Sequence, residues 1–386
     1  MNANKRAPYC VALALAAVLC VLLWQTLTVR FNYGGNWTAL FCTGGVQRLP
    51  PDLAAGTYLF PGSHGYDGQF YRYMAHDPSP AGPYARYIDD ARLRYRRILL
   101  PAAAHATGYP DAALIGLVVL FTGLGVYWTA RYFAIHGKPV WWGLLFLVAP
   151  ATLASFDRTL LDGPLLALFV GFLLYLEEER FLPLLLICVA APLVRDTGAA
   201  LPFAAAVHFA WRRQYWRALS AAACALPAVA WWLVVDRSTP PSGAHSIFSW
   251  PVIGIVQRLF VLRTAQDALT QNLLRVTDVV ALLGLLVALV MGVREVPRIP
   301  TVGGRVAVGC FIVLAALLTA PSHLVDPYGF SRPVSPLLMA LAMLVVLGRP
   351  IVNAFPFAAM SLAVGLYFVR PALGIVRGIA AEIIGK

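Results

Sequence analysis

Long runs of apolar residues, separated by short polar breaks, make up most of this 386-residue chain. Runs of this length are typical of helices that cross a bilayer. Barrel strands alternate apolar and polar residues, whereas these runs are uniformly apolar, which excludes a barrel. The pattern predicts an all-α, polytopic membrane protein with about 11 transmembrane helices. The predicted spans lie near residues 9–29, 110–132, 139–154, 161–176, 181–194, 197–211, 218–235, 277–293, 304–320, 333–348 and 351–369.

The polar breaks predict a single integral-membrane domain over residues 1–386, with a first external loop at 30–109 and a second at 236–276. Lys5 and Arg6 precede the first apolar run. Positive charge concentrates in the short loops on the cytoplasmic side of a membrane protein. We therefore expect the N-terminus in the cytoplasm and both long loops on the other side. The first run is too long for a cleaved signal peptide, so we expect it to remain as an anchor.

Charged residues account for only 12% of the chain, about half of their usual share in a soluble domain. The net charge of +12 comes from 27 Arg and 3 Lys against 18 acidic residues. Two explanations stay open: a genome that favours arginine codons, or a need for guanidinium groups that bind phosphate and carboxylate. The cysteines and histidines follow no metal-ligand spacing. We therefore expect no cofactor, although a divalent cation held by carboxylates stays open.

The segment GYDGQFYRYMAHDP, residues 65–78, concentrates charged and aromatic side chains soon after the first apolar run. Gly65 and Gly68 predict a turn that presents Asp67 at the start of a helix. Asp67 could cap that helix, or it could act as a general base where a cavity opens to water, and the two roles are compatible. Residues 69–75 are amphipathic and aromatic, so we expect the first loop to carry interfacial helices.

Four arginines fall within six residues on the approach to the second predicted span: Arg92, Arg94, Arg96 and Arg97. They could anchor the chain to lipid headgroups. Alternatively they could form a cradle for phosphate, because arginine forks pair with phosphate oxygens and a low-dielectric edge strengthens the pairing. Nucleic acid is excluded as a partner because the arginines lie between membrane spans on the external side.

Three more polar clusters lie at predicted span ends on the external side. Asp157 and Arg158 could form a local ion pair, whereas Asp162 heads a span. The dipeptide at 195–196 is expected to form ion pairs with the turn that carries these residues. Arg332 heads another span and is either a second phosphate ligand or an arginine that snorkels to the interface. Ionisable groups at a membrane edge are costly, so their clustering on one face indicates a functional site.

Five motifs carry a resemblance to a known superfamily: YDGQFY (66–71), RYRRILLP (94–101), LDGP (161–164), VRDTG (194–198) and YGFSRPVSPLL (328–338). Their order resembles the GT-C superfamily of integral-membrane glycosyltransferases, which includes protein O-mannosyltransferases and the lipid A aminoarabinose transferase. The first, second and last motifs are also similar to bacterial membrane proteins linked to cell-surface glycopolymer formation. The resemblance covers most of the chain.

The resemblance implies a transferase in the bacterial inner (cytoplasmic) membrane that works on the periplasmic face. Its donor would be a sugar on a polyprenyl phosphate, and its acceptor a hydroxyl of a cell-envelope glycan, lipid or protein. Asp67 would be the general base of an inverting reaction. The lipid phosphate would be bound by Arg94, Arg96, Arg97 and Arg332. The sugar or acceptor would contact Tyr66, Gln69, Tyr71, Asp162, Arg195, Asp196, His323 and Tyr328.

Two other functions stay open from the sequence. A transporter or flippase for lipid-linked glycans would be expected to have inverted repeats and paired broken helices, which the sequence does not display. A polymerase or ligase of lipid-linked glycans would also use an external arginine-rich loop. It would not need Asp67 as a base.

Overall fold

A computed structural model describes residues 3–241, 249–261, 268–320 and 324–384, and most of these residues are helical. The all-α expectation is confirmed. The α-helices of the described residues are α1 (Ala3–Tyr33), α2 (Pro51–Ala54), α3 (Asp67–His76), α4 (Ala91–Tyr95), α5 (Leu99–His105), α6 (Pro110–Ile135), α7 (Pro150–Arg158), α8 (Asp162–Glu177), α9 (Phe181–Val194), α10 (Ala200–Trp211), α11 (Tyr215–Ala223), α12 (Leu226–Ser238), α13 (Ile253–Phe260), α14 (Ala268–Glu295), α15 (Val302–Leu317), α16 (Pro327–Val346), α17 (Phe355–Gly365) and α18 (Val369–Ile384).

Short 3₁₀ helices and one small sheet complete the secondary structure of the described residues. The sheet consists of β1 (Thr43–Gly44) and β2 (Leu59–Phe60), which run parallel with Thr43 opposite Leu59. Both strands belong to the first predicted loop. The 3₁₀ helices are Trp37–Phe41, Ala85–Tyr87, Val140–Phe146, Asp196–Ala199, Val296–Arg298, Ile351–Ala354 and Leu366–Phe368.

Several helices are long and apolar enough to cross a membrane, as a polytopic membrane protein requires. Six such helical segments occur among the described residues, or up to seven if the bent pair Val140–Phe146 and Pro150–Arg158 forms one span. Each of the eleven predicted runs overlaps a helix, but the predicted count of eleven spans is not confirmed. Some runs are too short: a helix such as Phe181–Val194 reaches roughly 21 Å at 1.5 Å per residue, against about 30 Å of hydrocarbon. The six segments are Arg6–Tyr33, Pro110–Ile135, Tyr215–Ser238, Gln271–Arg298, Pro327–Val346 and Ile351–Ile384.

The helix α8 lies at the centre of the bundle and positions the polar end of the molecule. Every residue from Asp162 to Leu174 is buried. Gly171 lets α8 approach its neighbours closely, because a Cβ there would lie 3.0 Å from the ring of Trp128 and 2.9 Å from Ile187. By contrast, α1 exposes Leu15, Leu19 and Leu23, as a lipid-facing helix does.

The first predicted loop folds onto the bundle. Its helix α3 is buried from Gly68 to Ala75, so the expectation of an amphipathic interfacial helix is wrong for this segment. Gly68 explains the close packing, because a Cβ there would lie 2.1 Å from the carbonyl oxygen of Arg158 at the end of α7. The aromatic residues of α3 therefore belong to the protein core.

The second predicted loop at 236–276 is shorter and more helical than the sequence indicates. The helix α12 ends at Ser238, and α14 begins at Ala268. Between them, α13 lies beside the residues that follow α15, where Gly254 leaves no room for a Cβ beside the carbonyl of Thr319. Residues 242–248 and 262–267 lie outside the described residues.

Candidate functional site

A cavity of about 330 Å³ lies where the first loop meets the ends of three bundle helices. The beginning of α16, the end of α15, the segment after α9 and the first loop each supply part of its wall. We call it the arginine cavity. It is lined by Asp67, Leu93, Arg94, Arg97, Arg195, Asp196, Thr197, Leu314, Leu318, Arg332 and Pro333. The predicted polar clusters of the external side thus come together in space.

Asp67 bridges two arginines from distant parts of the sequence. Its Oδ1 lies 3.0 Å from Nη2 of Arg94, and its Oδ2 lies 3.1 Å from Nη1 of Arg332. Asp67 is the first residue of α3 and follows the cap residue Tyr66, which makes no side-chain capping bond. The alternative of Asp67 as a helix cap is therefore wrong, and its carboxylate is committed to the cavity.

The two arginines decide the ionisation of Asp67. Burial raises the pKa of this carboxyl, but the charges of Arg94 and Arg332 outweigh burial. The pKa of Asp67 therefore lies well below its usual range. Asp67 is ionised at neutral pH and, while it holds both arginines, it is a weak base.

The ion pairs continue beyond Asp67 in both directions. On the outer side, Arg94 also holds Asp89, with Nη2 2.8 Å from Oδ2. On the inner side, Arg332 also approaches Asp162, with 3.4 Å between Nη1 and Oδ2. We call the order Asp89, Arg94, Asp67, Arg332, Asp162, Arg195 the ion-pair series.

Asp162 occupies the inner end of the ion-pair series. It begins α8, its side chain is only 1% exposed, and it pairs with Arg195 from the end of α9. The expected ion pair between the segment at 195–196 and the turn at 155–162 is therefore confirmed. Asp162 itself does not line the arginine cavity. Its position fixes Arg195 and Arg332, which do.

Arg97 supplies the remaining guanidinium group of the cavity wall. Its Nε lies 3.0 Å from Oδ1 of Asp196, and its Nη1 donates to the hydroxyl of Tyr71 at 2.9 Å. Burial raises the pKa of Asp196, but the charges of Arg97 and Arg195 outweigh burial, so this pKa lies below its usual value. Tyr71 is fully buried and lies behind the wall. It positions Arg97, so its predicted contact with sugar is not supported by its location.

Arg96 turns away from the cavity, which corrects its prediction as a phosphate ligand. Its Nη2 lies 2.8 Å from Oδ1 of Asp236, and its guanidinium lies 5.8 Å from the ring centre of Trp232. The turn at the end of α4 explains the difference, because Arg96 keeps helical dihedral angles and the amide of Arg97 donates to the carbonyl of Arg94. Residues three apart share a helix face, so Arg94 and Arg97 point to one side and Arg96 to another.

Two predicted aromatic contacts lie beside the cavity and not on its wall. The guanidinium of Arg332 lies 4.7 Å from the ring centre of Tyr66, within the range of a cation–π contact. Tyr328 meets Tyr66 edge-on at 5.3 Å and donates its hydroxyl to Oδ2 of Asp157 at 2.8 Å. Asp157 also holds Arg158, so the predicted local ion pair is confirmed. These residues support the site from behind.

Gln69 does not enter the described site. The side chain of Gln69 is 1% exposed and bonds to the backbone, accepting from the amide of Gly44 and donating to the carbonyl of His64. It therefore ties α3 to the loop before it, and its predicted sugar contact is wrong. His323 lies outside the described residues.

Sequence reasoning missed the apolar part of the cavity wall and the outer end of the ion-pair series. Leu314 and Leu318 line the cavity from the end of α15, and their spacing of four places them on one helix face. Asp89 stands five residues before Arg94. Because two aspartates precede four arginines in this segment, the sequence does not show which arginine Asp89 binds. The sequence of an apolar run likewise does not show which of its leucines line a cavity.

The chemistry of the arginine cavity favours an anion. Four of its wall residues are arginines, and its two acidic residues, Asp67 and Asp196, each pair with an arginine. Within the part of the chain that the structure describes, no three His, Cys, Asp or Glu residues come together as metal ligands would. The guanidinium groups could donate hydrogen bonds to a phosphate here, whereas they would repel a cation.

Comparison with known proteins returned no match to any protein-family model, curated protein or solved structure. The functional argument therefore rests on the site itself.

Proposed function

We propose that the protein is a membrane glycosyltransferase that moves a sugar from a polyprenyl-phosphate carrier to an acceptor hydroxyl. The observation that carries this proposal is a partly buried carboxylate, Asp67, held between arginines in a cavity that also has an apolar wall. A carboxylate can take a proton from a hydroxyl, arginines can hold a phosphate leaving group, and an apolar wall suits a lipid.

The shape of the arginine cavity suits an amphiphilic anion. Arg94 and Arg97 lie on one face of the same short segment, so both can reach one phosphate. Leu93, Leu314 and Leu318 provide apolar surface next to these guanidinium groups. Such a wall matches the first carbons of a prenyl chain, whose burial contributes about 0.8 kcal/mol per methylene group.

The proposed reaction is a single displacement at the anomeric carbon. The acceptor oxygen forms the new glycosidic bond, and the bond between the anomeric carbon and the phosphate oxygen breaks. The phosphate keeps the bonding electron pair and leaves as lipid phosphate, with Arg94 and Arg97 stabilising its charge. Asp67 takes the hydroxyl proton, a contribution of about 10²–10⁴-fold to the rate. Attack opposite the leaving group inverts the anomeric centre.

We place the reaction on the periplasmic face of a bacterial inner membrane. The cavity residues gather at the end of the bundle where α1 ends and the first loop begins. The basic start of α1 lies at its other end, where Arg6 donates to the carbonyl of Lys138. Positive charge at that end favours the cytoplasmic side for the N-terminus.

The test is transfer of labelled sugar from polyprenyl-phosphate donors to cell-envelope acceptors, with the purified chain in vesicles. We expect Asp67→Asn to lower turnover by at least about 10²-fold, because the base is lost. Asp236→Asn is the matched control, since Asp236 pairs with Arg96 outside the cavity, and it should keep wild-type turnover.

Two results would contradict the proposal. One is wild-type transfer by a folded Asp67→Asn variant. The other is movement of labelled lipid across the bilayer by the wild type with no new glycosidic bond, which would indicate a flippase. Thermal unfolding of each variant in the same detergent shows whether a loss of transfer reflects a loss of folding.

A further inference from the structure

The charges around the arginine cavity balance one another. The ion-pair series alternates Asp and Arg, and the neighbouring pair of Arg97 and Asp196 adds one charge of each sign. Counted over the residues that the structure describes, these groups comprise four arginines and four aspartates. A phosphate that entered such a set unchanged would meet a guanidinium group already paired with a carboxylate. Because the charge of each guanidinium group is already balanced by a carboxylate, a phosphate binds more strongly when one carboxylate moves away.

Asp67 is the carboxylate best placed to give way. It belongs to the cavity wall, and each of its two oxygens lies on a different arginine. Asp162 also approaches two arginines, but it is 1% exposed and lies behind the wall. Asp196 holds a single cavity arginine, Arg97. An anion that takes Arg94 leaves Asp67 with its second arginine, so no buried charge is stranded.

The two arginines of Asp67 differ in what lies behind them: Arg94 is held by Asp89, which is 41% exposed, whereas Arg332 is backed by Asp162, which is 1% exposed. Arg332 is covered by the ring of Tyr66 at 4.7 Å and backed by Asp162, so its guanidinium is enclosed. Arg94 lies on the short helix α4 and faces the cavity together with Arg97. A phosphate that bridges Arg94 and Arg97 therefore competes with Asp67 for Arg94.

We propose that the donor phosphate and the carboxylate of Asp67 compete for Arg94, so that donor binding releases Asp67 to act as the base. This inference rests on the proposed function. The charge balance then sets the order of events. The donor binds first, and Asp67 leaves Arg94 while it keeps its contact with Arg332. The acceptor hydroxyl then meets a stronger base. Without a donor, Asp67 stays paired and water is not activated.

The position of Asp67 on α3 allows this exchange. As the first residue of a ten-residue helix, Asp67 stands at the end where the helix dipole favours negative charge. The paired carboxyl has a lowered pKa because Arg94 and Arg332 outweigh burial, so losing one of these arginines raises its basicity. The groups that face Asp67 from neighbouring elements are Tyr66, Arg94, Arg97, Asp162 and Arg332.

The proposal has a result that a plain base would not give: Asp67→Asn should bind the donor phosphate more tightly. We would measure the affinity of a short-chain polyprenyl phosphate for the full chain in detergent, with inorganic phosphate and the matching polyprenol as further probes. With its competitor removed, Arg94 should bind polyprenyl phosphate about tenfold more tightly, which corresponds to about 1.4 kcal/mol. Tighter binding of inorganic phosphate as well would identify phosphate itself as the competitor, whereas the polyprenol should bind both proteins equally.

The matched control is Asp89→Asn, which also removes one carboxylate from Arg94. Asp89 does not line the cavity, and it holds both Nε and Nη2 of Arg94, so it orients the guanidinium group. Its loss should leave the affinity equal to or below that of the wild type. An equal gain in affinity in both variants would show that only the net charge matters, which would overturn the proposal. An unchanged or weaker affinity in Asp67→Asn would overturn it as well.

Loss of Asp67 could also destabilise the protein, because two arginines lose a partner. If Asp67→Asn does not remain folded in detergent, polyprenyl phosphate added during solubilisation should restore its yield and raise its Tm more than that of the wild type. Failure of this rescue contradicts the proposal. Binding is measured without an acceptor, so tighter binding with no transferase activity in the wild type would refute the proposed function alone. Transfer without tighter binding would refute only the competition.

Discussion

At the scale of single residues, the direction of a side chain decides its role more than its type does. Arg96 and Arg97 are neighbours of the same kind, yet Arg97 lines the arginine cavity and Arg96 pairs with Asp236 outside it. The sequence predicted both as phosphate ligands. Their spacing does not show in which direction each side chain points from the short helical turn at the end of α4. A pair of matched variants can separate the two.

We expect Arg97→Gln to weaken binding of polyprenyl phosphate by about tenfold or more, because hydrogen bonds to charged groups contribute about 1.5–3 kcal/mol. Arg96→Gln should change the affinity by less than about threefold, since its guanidinium is engaged by Asp236 and Trp232. The measurement is equilibrium binding in detergent, accompanied by thermal unfolding of both variants. An equal loss of affinity in the two variants would mean that both arginines attract lipid through their charge alone. Arg97 would then not be a ligand of the phosphate.

At the scale of elements, the site depends on how α3 docks. The sequence predicted the turn and the helix start at Asp67, because Gly65, Gly68 and the aromatic residues that follow them are local signals. It predicted the wrong environment for the helix, since burial of Phe70 and Tyr73 depends on contacts with distant segments. Gly68 is the point of closest approach, with Arg158 on α7 and Phe41 in the first loop as neighbours.

Gly68→Ala should therefore act on the site through α3. The new Cβ would lie 2.1 Å from the carbonyl oxygen of Arg158 and 2.9 Å from that of Phe41, and neither backbone atom can move freely. Overpacking of this kind typically costs about 1–3 kcal/mol. We expect a lower Tm and lower transferase turnover, because Asp67 moves with the helix start.

Gly56→Ala provides the control for this prediction. Gly56 lies in the same loop, and a Cβ there would meet no atom within 4 Å. Its Tm and turnover should match those of the wild type. If Gly68→Ala behaves like Gly56→Ala, then α3 does not dock on α7 as closely as its packing requires.

At the scale of the whole molecule, the hydrophobic pattern predicted the helical class but not the number of crossings. Helices such as α9 and α15 are apolar yet short, so length and composition do not decide whether they span a bilayer. The meeting of distant polar clusters was predictable because each stood at a span end on the same expected side. Their pairing was not, since which arginine meets which aspartate depends on how the helices pack.

The orientation of the bundle gives a prediction for the molecule as a whole. The predicted topology, with five crossings between them, puts the first loop and the segment after α10 on opposite sides of the membrane. Ala55 in the first loop and Arg212 after α10 are both exposed, and each can be replaced by cysteine in a background without native cysteines. Arg212 forms an exposed ion pair with Glu179, so its replacement should cost little stability.

Cells whose outer membrane has been permeabilised would be treated with a membrane-impermeant maleimide. We expect Ala55→Cys to react before the inner membrane is opened and Arg212→Cys only afterwards, because the basic start of α1 keeps its end of the bundle in the cytoplasm. The reverse pattern would put the arginine cavity on the cytoplasmic side. Its donor would then have to be reached from the inner leaflet, where nucleotide-activated sugars are available, and a polyprenyl-phosphate donor would lose its main advantage as a carrier to the outer leaflet. Labelling of both positions before opening would instead mean that the two segments share one side, which is incompatible with an odd number of crossings between them.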